Sequence, residues 1–252
     1  MTKNEQKFAL ITGANGGIGQ ALCKTFTEEG YEVIATDVHE QPTESLIFSR
    51  YVSIDLNKLV ESESYATDRT NEIKSLLPNR ELHALINNAA IQILGGVDSL
   101  TRADWNQTLN VNLQAPFFLV QTLKNELEAC RGSIVNISSI HAKLTKRNFV
   151  AYATSKSALS GMTKAMSVDL GAKVKVNGVA PAAIETEMLI SGFSENREGL
   201  AKLNDYHPTG TIGEPREVAT TALFLANSNT RFLNGEILEI NGGIGNCLHD
   251  PD

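Results

Sequence analysis

The chain has 252 residues, of which 42% are hydrophobic and 20% charged; α/β folds of ~250 residues are routinely single domains, and one domain is expected. The formal net charge is −7, whereas a nucleic-acid binder carries a basic surplus, so that partner class is set aside. Cys23, Cys130 and Cys247 show neither paired nor ligand spacing, the N-terminal segment is polar, and no apolar run reaches membrane-spanning length; a disulfide frame, a metal site, secretion and membrane insertion are therefore not expected, and the cytoplasm is.

Apolar runs alternate with amphipathic stretches from end to end. Residues 8–11 read as a buried strand and 17–29 as a helix, joined by Thr12-Gly13-Ala14-Asn15-Gly16-Gly17-Ile18-Gly19. Glycines let the chain turn tightly and approach a pyrophosphate, and a helix N-terminus offers free N–H groups to its charge. Gly13, Gly17 and Gly19, with Asn15 and Ile18 among them, are thus candidate dinucleotide contacts; a structural turn without ligand is the plain alternative. Residues 31–36 form the next strand, and Asp37 ends it, 24 residues after Gly13. A carboxylate there can accept hydrogen bonds from both adenosine ribose hydroxyls and repel a 2′-phosphate. No Lys or Arg stands at Asn15 or Val38. NAD is the expected cofactor, with NADP second.

Residues 51–54 read as a strand, 58–77 as a helix stopped by Pro78, 82–86 as a strand, 103–129 as one long helix and 132–137 as a strand. Residues 152–170 read as a helix that opens with Tyr152-Ala153-Thr154-Ser155-Lys156. Side chains four apart share a helix face, which puts the ammonium beside the phenol. A fixed cation favours phenolate and draws its pKa down from ~10 toward the working range. Ser139, thirteen residues before Tyr152, can bring a hydroxyl to the substrate oxygen. Residues 174–179 form a strand running to Pro181, 187–213 is the least regular stretch and a candidate substrate lid, 215–226 is a helix opening with Pro215, and 236–240 is the closing strand. Apolar strands between helices imply an α/β fold, a Rossmann-like doubly wound parallel sheet, as a single dinucleotide-binding and catalytic domain over residues 1–252.

With these pieces in order, the chain resembles the short-chain dehydrogenase/reductase family over essentially its whole length. Thr12 to Gly19 matches that family's cofactor turn, and Asp55-Leu56 resembles its adenine-contacting pair. Asn87-Asn88-Ala89-Ala90 resembles its Asn-Asn-Ala-Gly segment, and Asn112 falls where the family keeps an active-site Asn. Ser139, Tyr152 and Lys156 match the remaining catalytic positions, the thirteen-residue spacing selecting Ser139 over Ser138. Val179 to Thr186 resembles the segment that lines the nicotinamide, and Asn234 to Gly243 the last strand. Ala90 and Ala182 replace the usual glycines. The resemblance implies that Tyr152 moves the proton, Lys156 tunes Tyr152 and bonds the nicotinamide ribose, Ser139 holds the substrate oxygen and Asn112 anchors a water. It further implies that Asn88, Ala89, Pro181, Ile184 and Thr186 contact the cofactor, Thr186 at its carboxamide, and that subunits pair as homodimers or homotetramers through the helices at 103–129 and 152–170.

Gln92 and His141 stand where substrate is expected, as in 3-hydroxybutyrate dehydrogenases of that family. The lysine that holds the carboxylate in those enzymes is Phe149 here, with Lys143, Lys146 and Arg147 nearby as substitutes. The expected activity is NAD-dependent interconversion of a secondary alcohol and a ketone on a small polar substrate such as a hydroxy acid. A sugar or polyol dehydrogenase, an NADPH-dependent carbonyl reductase and a non-catalytic dinucleotide sensor are the alternatives.

Overall fold

Alternation along strand β1 (Lys7–Thr12) sets the layering: Ala9 and Ile11 enter the apolar cluster on one face of the sheet, Leu10 the cluster on the other, and all three are fully buried. A sheet apolar on both faces has to be covered on both, and parallel strands with helical crossovers achieve that. The computed structural model describes residues 6–193, 197–227 and 229–248. Among these, β1 is joined by β2 (Tyr31–Asp37), β3 (Arg50–Ser53), β4 (Ala84–Asn87), β5 (Ser133–Ile137), β6 (Lys175–Pro181) and β7 (Ile237–Ile240). All pairs are parallel, in the order β3-β2-β1-β4-β5-β6-β7. The result is the single-domain, doubly wound α/β architecture expected from the alternating pattern.

Helix α1 (Gly17–Glu28) packs with α9 (Pro215–Asn227) on the Ala9 and Ile11 face. The opposite face carries α2 (Leu56–Glu61), α3 (Glu63–Ser75), α5 (Ala115–Ala129) and α6 (Val150–Leu170), through Leu59, Ile73, Leu119, Leu123 and Met166. Two helices expected to be continuous are divided. Ser62 is extended (φ −134°) and its hydroxyl accepts the Tyr65 N–H, so it ends α2 and caps α3. The 103–129 stretch is α4 (Arg102–Leu109), a π-helical turn over Asn110–Gln114, and α5. Pro116 in the first turn of α5 supplies no N–H and crowds the carbonyl four residues back, which favours the wider turn. The irregular 187–213 stretch contains α7 (Glu187–Gly192) and α8 (Arg197–Leu203); residues 194–196 of the expected lid lie outside the described residues.

Strand order reverses between β1 and β4, which leaves a crevice beyond their C-terminal ends, the place where open α/β sheets bind ligands. No helix among the described residues is long and apolar enough to cross a membrane.

Candidate active site

The glycine turn fills the β1–β4 crevice. Gly13 has φ +66°, and a Cβ there would come within 2.7 Å of Ala89 Cα. A Cβ on Gly19 would lie 2.0 Å from the Gly13 carbonyl oxygen, so the turn closes onto α1 only because both positions lack side chains. Gly16 precedes α1 without a side-chain cap, and the first turn holds no acidic residue. Its N–H groups are left for an anion. The cleft in front of them has a volume of about 1690 Å³, above the ~300–1,000 Å³ of ordinary small-molecule pockets. Turn, helix end and volume together fit a dinucleotide with room for a substrate. Asn88 serves the turn: its Nδ2 donates to the Thr12 and Gly13 carbonyls at 2.9 and 3.1 Å, while the Asn88 and Ala89 N–H groups both donate to Thr12 Oγ1 at 3.0 Å.

At the outer end of the turn, Asp37 is buried and engaged. Its Oδ2 accepts the Asn15 N–H at 3.0 Å, and its Oδ1 accepts the His39 N–H at 3.3 Å and lies 2.6 Å from His39 Nδ1. Asn15 Oδ1 accepts the Thr43 N–H, and Asn15 Nδ2 donates to the Gln41 carbonyl and Tyr51 hydroxyl, which pins the 39–43 loop along the cleft. Asp55 caps α2 by accepting the Asn57 and Lys58 N–H groups at 2.9 and 3.1 Å, and Leu56 behind it is buried against the cleft wall.

The C-terminal end of β5 supplies the two serines. Ser138 Oγ turns into α6, at 3.1 Å from the Lys156 carbonyl and 2.7 Å from Ser160 Oγ. Ser139 Oγ accepts the His141 N–H at 3.1 Å and borders the cleft with Tyr152 and Lys156. The Lys156 ammonium donates to the Ile137 carbonyl at 2.7 Å and sits 5.7 Å from the Tyr152 ring centre. Burial drives both groups toward neutrality. It lowers Lys156 to about 7 and raises Tyr152, with the hydrogen bond from Ser139 acting the other way on the phenol. The phenol thus stands above its ordinary value, raised by withdrawal from water, where a lowering by its cationic neighbour was expected.

Asn112, on the π-helical turn, is fully buried and is not part of the cleft wall. Its Oδ1 accepts the Ile91 N–H at 2.8 Å, and its Nδ2 donates to the Ile91 carbonyl at 2.9 Å and Ser155 Oγ at 3.0 Å. Both amide hydrogens are committed, and through them and Oδ1 the side chain holds the 88–92 segment at Ile91.

The end of the cleft expected to take substrate is walled by Gln92, His141, Lys146 and Phe149. The His141 ring stacks on Phe149 at 4.4 Å and meets Tyr152 edge-on at 5.8 Å. Burial, then the Lys146 charge, push His141 down to about 4, so this imidazole is neutral at pH 7. Of the three basic residues in the connection, Lys143 is paired with Glu239, and only Lys146 borders the cleft, 4.8 Å from the Phe149 ring centre and 5.7 Å from that of Phe193. Pro181, Ile184 and Thr186 line the opposite lip, where Thr186 Oγ1 caps α7 through the Leu189 N–H at 3.3 Å. Positive φ among described non-glycine residues is confined to Arg80, Arg131 and Asn148, so Ala90 and Ala182 carry their methyl groups on ordinary backbone. The far wall holds Leu203 and His207, from the 187–213 stretch expected as a lid, together with Ile244 and Cys247, which no local motif marks.

A family model described as enoyl-(acyl carrier protein) reductase matches residues 13–245. The 3-oxoacyl-[acyl-carrier-protein] reductase FabG of Thermotoga maritima is 34% identical over 248 residues, covering 95% of this chain and 98% of the relative. Among solved structures, ligand-free aldohexose dehydrogenase of Thermoplasma acidophilum aligns with a TM-score of 0.88 at 28% identity, over 98% of this chain and 97% of that one. A gluconate 5-dehydrogenase from Burkholderia cenocepacia, in complex with NADP and tartrate, aligns with a TM-score of 0.85 at 27% identity, over 96% of each chain. This last likeness corrects the cofactor expectation. The choice of NAD over NADP rested on Asp37 as an open carboxylate, yet a relative of the same fold holds NADP, and here both Asp37 oxygens are already occupied by Asn15 and His39. A carboxylate satisfied in this way is a weaker obstacle to a 2′-phosphate, and the preference for NAD is withdrawn.

Proposed function

We propose that this chain, which belongs to the short-chain dehydrogenase/reductase family, uses NADP(H) to interconvert a secondary alcohol and a ketone on a small polyhydroxylated acid. Its general activity is NAD(P)-dependent oxidation and reduction at the alcohol and ketone groups of small polar substrates. The observation that carries the narrower reading is Lys146 at the cleft wall beside the neutral His141, a cation for a carboxylate next to an uncharged partner for hydroxyls. The tartrate held by the Burkholderia relative supports it.

Gly13, Asn15, Gly17, Ile18 and Gly19 would hold the diphosphate end of the dinucleotide, Asp37, Asp55 and Leu56 the adenosine, and Pro181, Ile184 and Thr186 the nicotinamide. The bound cofactor supplies or accepts the hydride. In reduction, Tyr152 donates its phenolic proton to the carbonyl oxygen and Ser139 Oγ hydrogen-bonds that oxygen; in oxidation the proton returns to Tyr152. Lys156 orders this end of the cleft from the Ile137 carbonyl, and Asn112 acts as a positioning residue through Ile91. The 187–213 segment serves as the lid, and the protein works as a homodimer or homotetramer. Three unpaired cysteines, Cys23, Cys130 and Cys247, support a reducing, cytoplasmic setting.

An acyl-thioester substrate is the second reading, favoured by the likeness to FabG. One screen separates them: aldonates, tartrate, neutral sugars, polyols and a 3-oxoacyl thioester, each with NADP(H) and NAD(H), followed at the reduced-nicotinamide absorbance. Turnover of polyhydroxylated acids with NADP(H) is expected. Turnover of the thioester alone overturns the substrate assignment.

A further inference from the structure

The loop after β2 sets a histidine on the carboxylate at the adenosine end of the cleft. Asp37 is buried; its Oδ1 lies 2.6 Å from His39 Nδ1, and its Oδ2 takes the Asn15 N–H at 3.0 Å. A carboxylate only accepts, so His39 Nδ1 carries a proton. The rest of the ring is open: the side chain is 71% exposed and borders the cleft. The imidazole can therefore take a second proton at Nε2 while it stays in contact with water and with Asp37.

No other cleft-lining side chain at this end supplies a positive charge. Among the described residues that border the cleft there is no arginine, and the two lysines, Lys146 and Lys156, stand with Phe149 and Tyr152 at the other end. Lys58 on α2 is paired with Asp55 at 3.7 Å. Glu40, next to His39, is exposed and borders the cleft. Tyr51 on β3 donates its hydroxyl to the His39 carbonyl at 2.7 Å; burial, then the Asp37 charge, raise that phenol, so it is neutral. A phosphate that enters here meets the carboxylates of Asp37, Glu40 and Asp55, with the imidazole of His39 among them. The loop itself is held by main-chain groups. The His39 N–H donates to Asp37 Oδ1, Tyr51 holds the His39 carbonyl, and Asn15 grips the Gln41 carbonyl and the Thr43 N–H. Replacing the His39 side chain leaves those contacts in place and tests the ring alone.

We propose that His39 determines specificity for the 2′-phosphate of the dinucleotide: as an imidazolium it neutralises Asp37 and so admits the phosphate to an otherwise acidic end of the cleft. This rests on the proposed use of NADP(H) and goes beyond it by naming the residue and the proton that make that use possible. With a neutral imidazole the pair keeps the negative charge of Asp37 and repels a phosphate; with an imidazolium the pair is balanced. NADP(H) therefore binds together with a proton from solvent, and NAD(H), which lacks the phosphate, binds without one. Raising the pH weakens the first and spares the second.

The test measures dissociation constants of NADPH and NADH by nicotinamide fluorescence at about pH 7 and about pH 9, a range in which a phosphate monoester, with its second pKa near about 6, is already a dianion. The proteins are the wild type, His39→Asn, His39→Ala and His39→Arg. Asn keeps an N–H for Asp37 and removes the charge, Ala removes both, and Arg makes the charge permanent. In the wild type the NADPH constant should rise with pH while the NADH constant holds. His39→Asn and His39→Ala should weaken NADPH about ten- to a hundredfold at the lower pH and leave NADH unchanged. His39→Arg should keep the NADPH affinity and lose its pH dependence. A wild type that prefers NADPH, with that preference unmoved in Asn and Ala, overturns His39 alone. So does equal weakening of both dinucleotides, or a wild-type NADPH affinity that ignores pH. A wild type that binds NADH and not NADPH overturns the proposed use of NADP(H) and His39 with it.

Discussion

At the scale of single residues, the proposed reacting groups stand out by spacing in the sequence, and their charge states do not. Tyr152 and Lys156 four apart, and Ser139 thirteen before, are set by chain position. Burial is set by which strands and helices cover them, and it raises Tyr152 and lowers Lys156. A phenol kept protonated at neutral pH is a ready proton donor, so carbonyl reduction should run well at pH 7. Alcohol oxidation, which needs the phenolate, should climb as pH rises. Rates in both directions between pH 6 and 10 check this, and an oxidation optimum below pH 7 counts against it. Tyr152→Phe should cost ~10²–10⁴ in rate while dinucleotide affinity is kept, because it removes the proton carrier and none of the cofactor's contacts. His141 gives a stability signature. Its pKa is about 4 in the fold and ~6.5 unfolded, so between those values the unfolded chain binds more protons and stability rises with pH. The unfolding temperature of His141→Asn, relative to wild type, should therefore be higher at pH 5 than at pH 7.5. An unchanged difference would show that the imidazole titrates normally.

At the scale of elements, hydrophobic periodicity located the strands and most helices within a residue or two, because buried strands and amphipathic helices repeat regularly. It failed where one residue overrides the period. Ser62 splits the helix expected over 58–77 by capping its second half, and the π-helical turn before Pro116 divides the one expected over 103–129. Neither α7 nor α8 was foreseen, since six- and seven-residue helices show too little repeat. The π-helical turn delivers Asn112 to both the N–H and the carbonyl of Ile91. Asn112→Ala removes those bonds and leaves buried groups without partners, a loss of roughly 1–3 kcal/mol. Thermal unfolding should show it, together with weaker dinucleotide binding as the 88–92 segment loosens. If binding is unaffected, the link through Ile91 is not the route by which Asn112 acts.

At the scale of the whole molecule, apolar side chains remain on the outside of the layers. Phe117 on α5 is 41% exposed, Val168 on α6 is 83% exposed and Phe232 is fully exposed. Phe117 and Val168 lie on the two helices through which the proposed dimer or tetramer would pair, and closed two-fold pairing is the common arrangement. Light scattering should give two or four times 27.3 kDa, and Phe117→Asp should lower the assembly. A wild-type mass of 27.3 kDa rules the assembly out. The order of strands carries a consequence for how the molecule is made. The glycine turn hangs from β1, which is first in the chain and central in the sheet; Gly242 under His207 and Glu239 on Lys143 hang from β7, which is the last strand and lies at the edge. As the chain leaves the ribosome, the framework of the cofactor half can assemble before β7 exists, whereas the far wall waits for the final strand. Damage near the C-terminus, by proteolysis or early termination, should thus erase substrate selection first and leave a protein that still grips its dinucleotide.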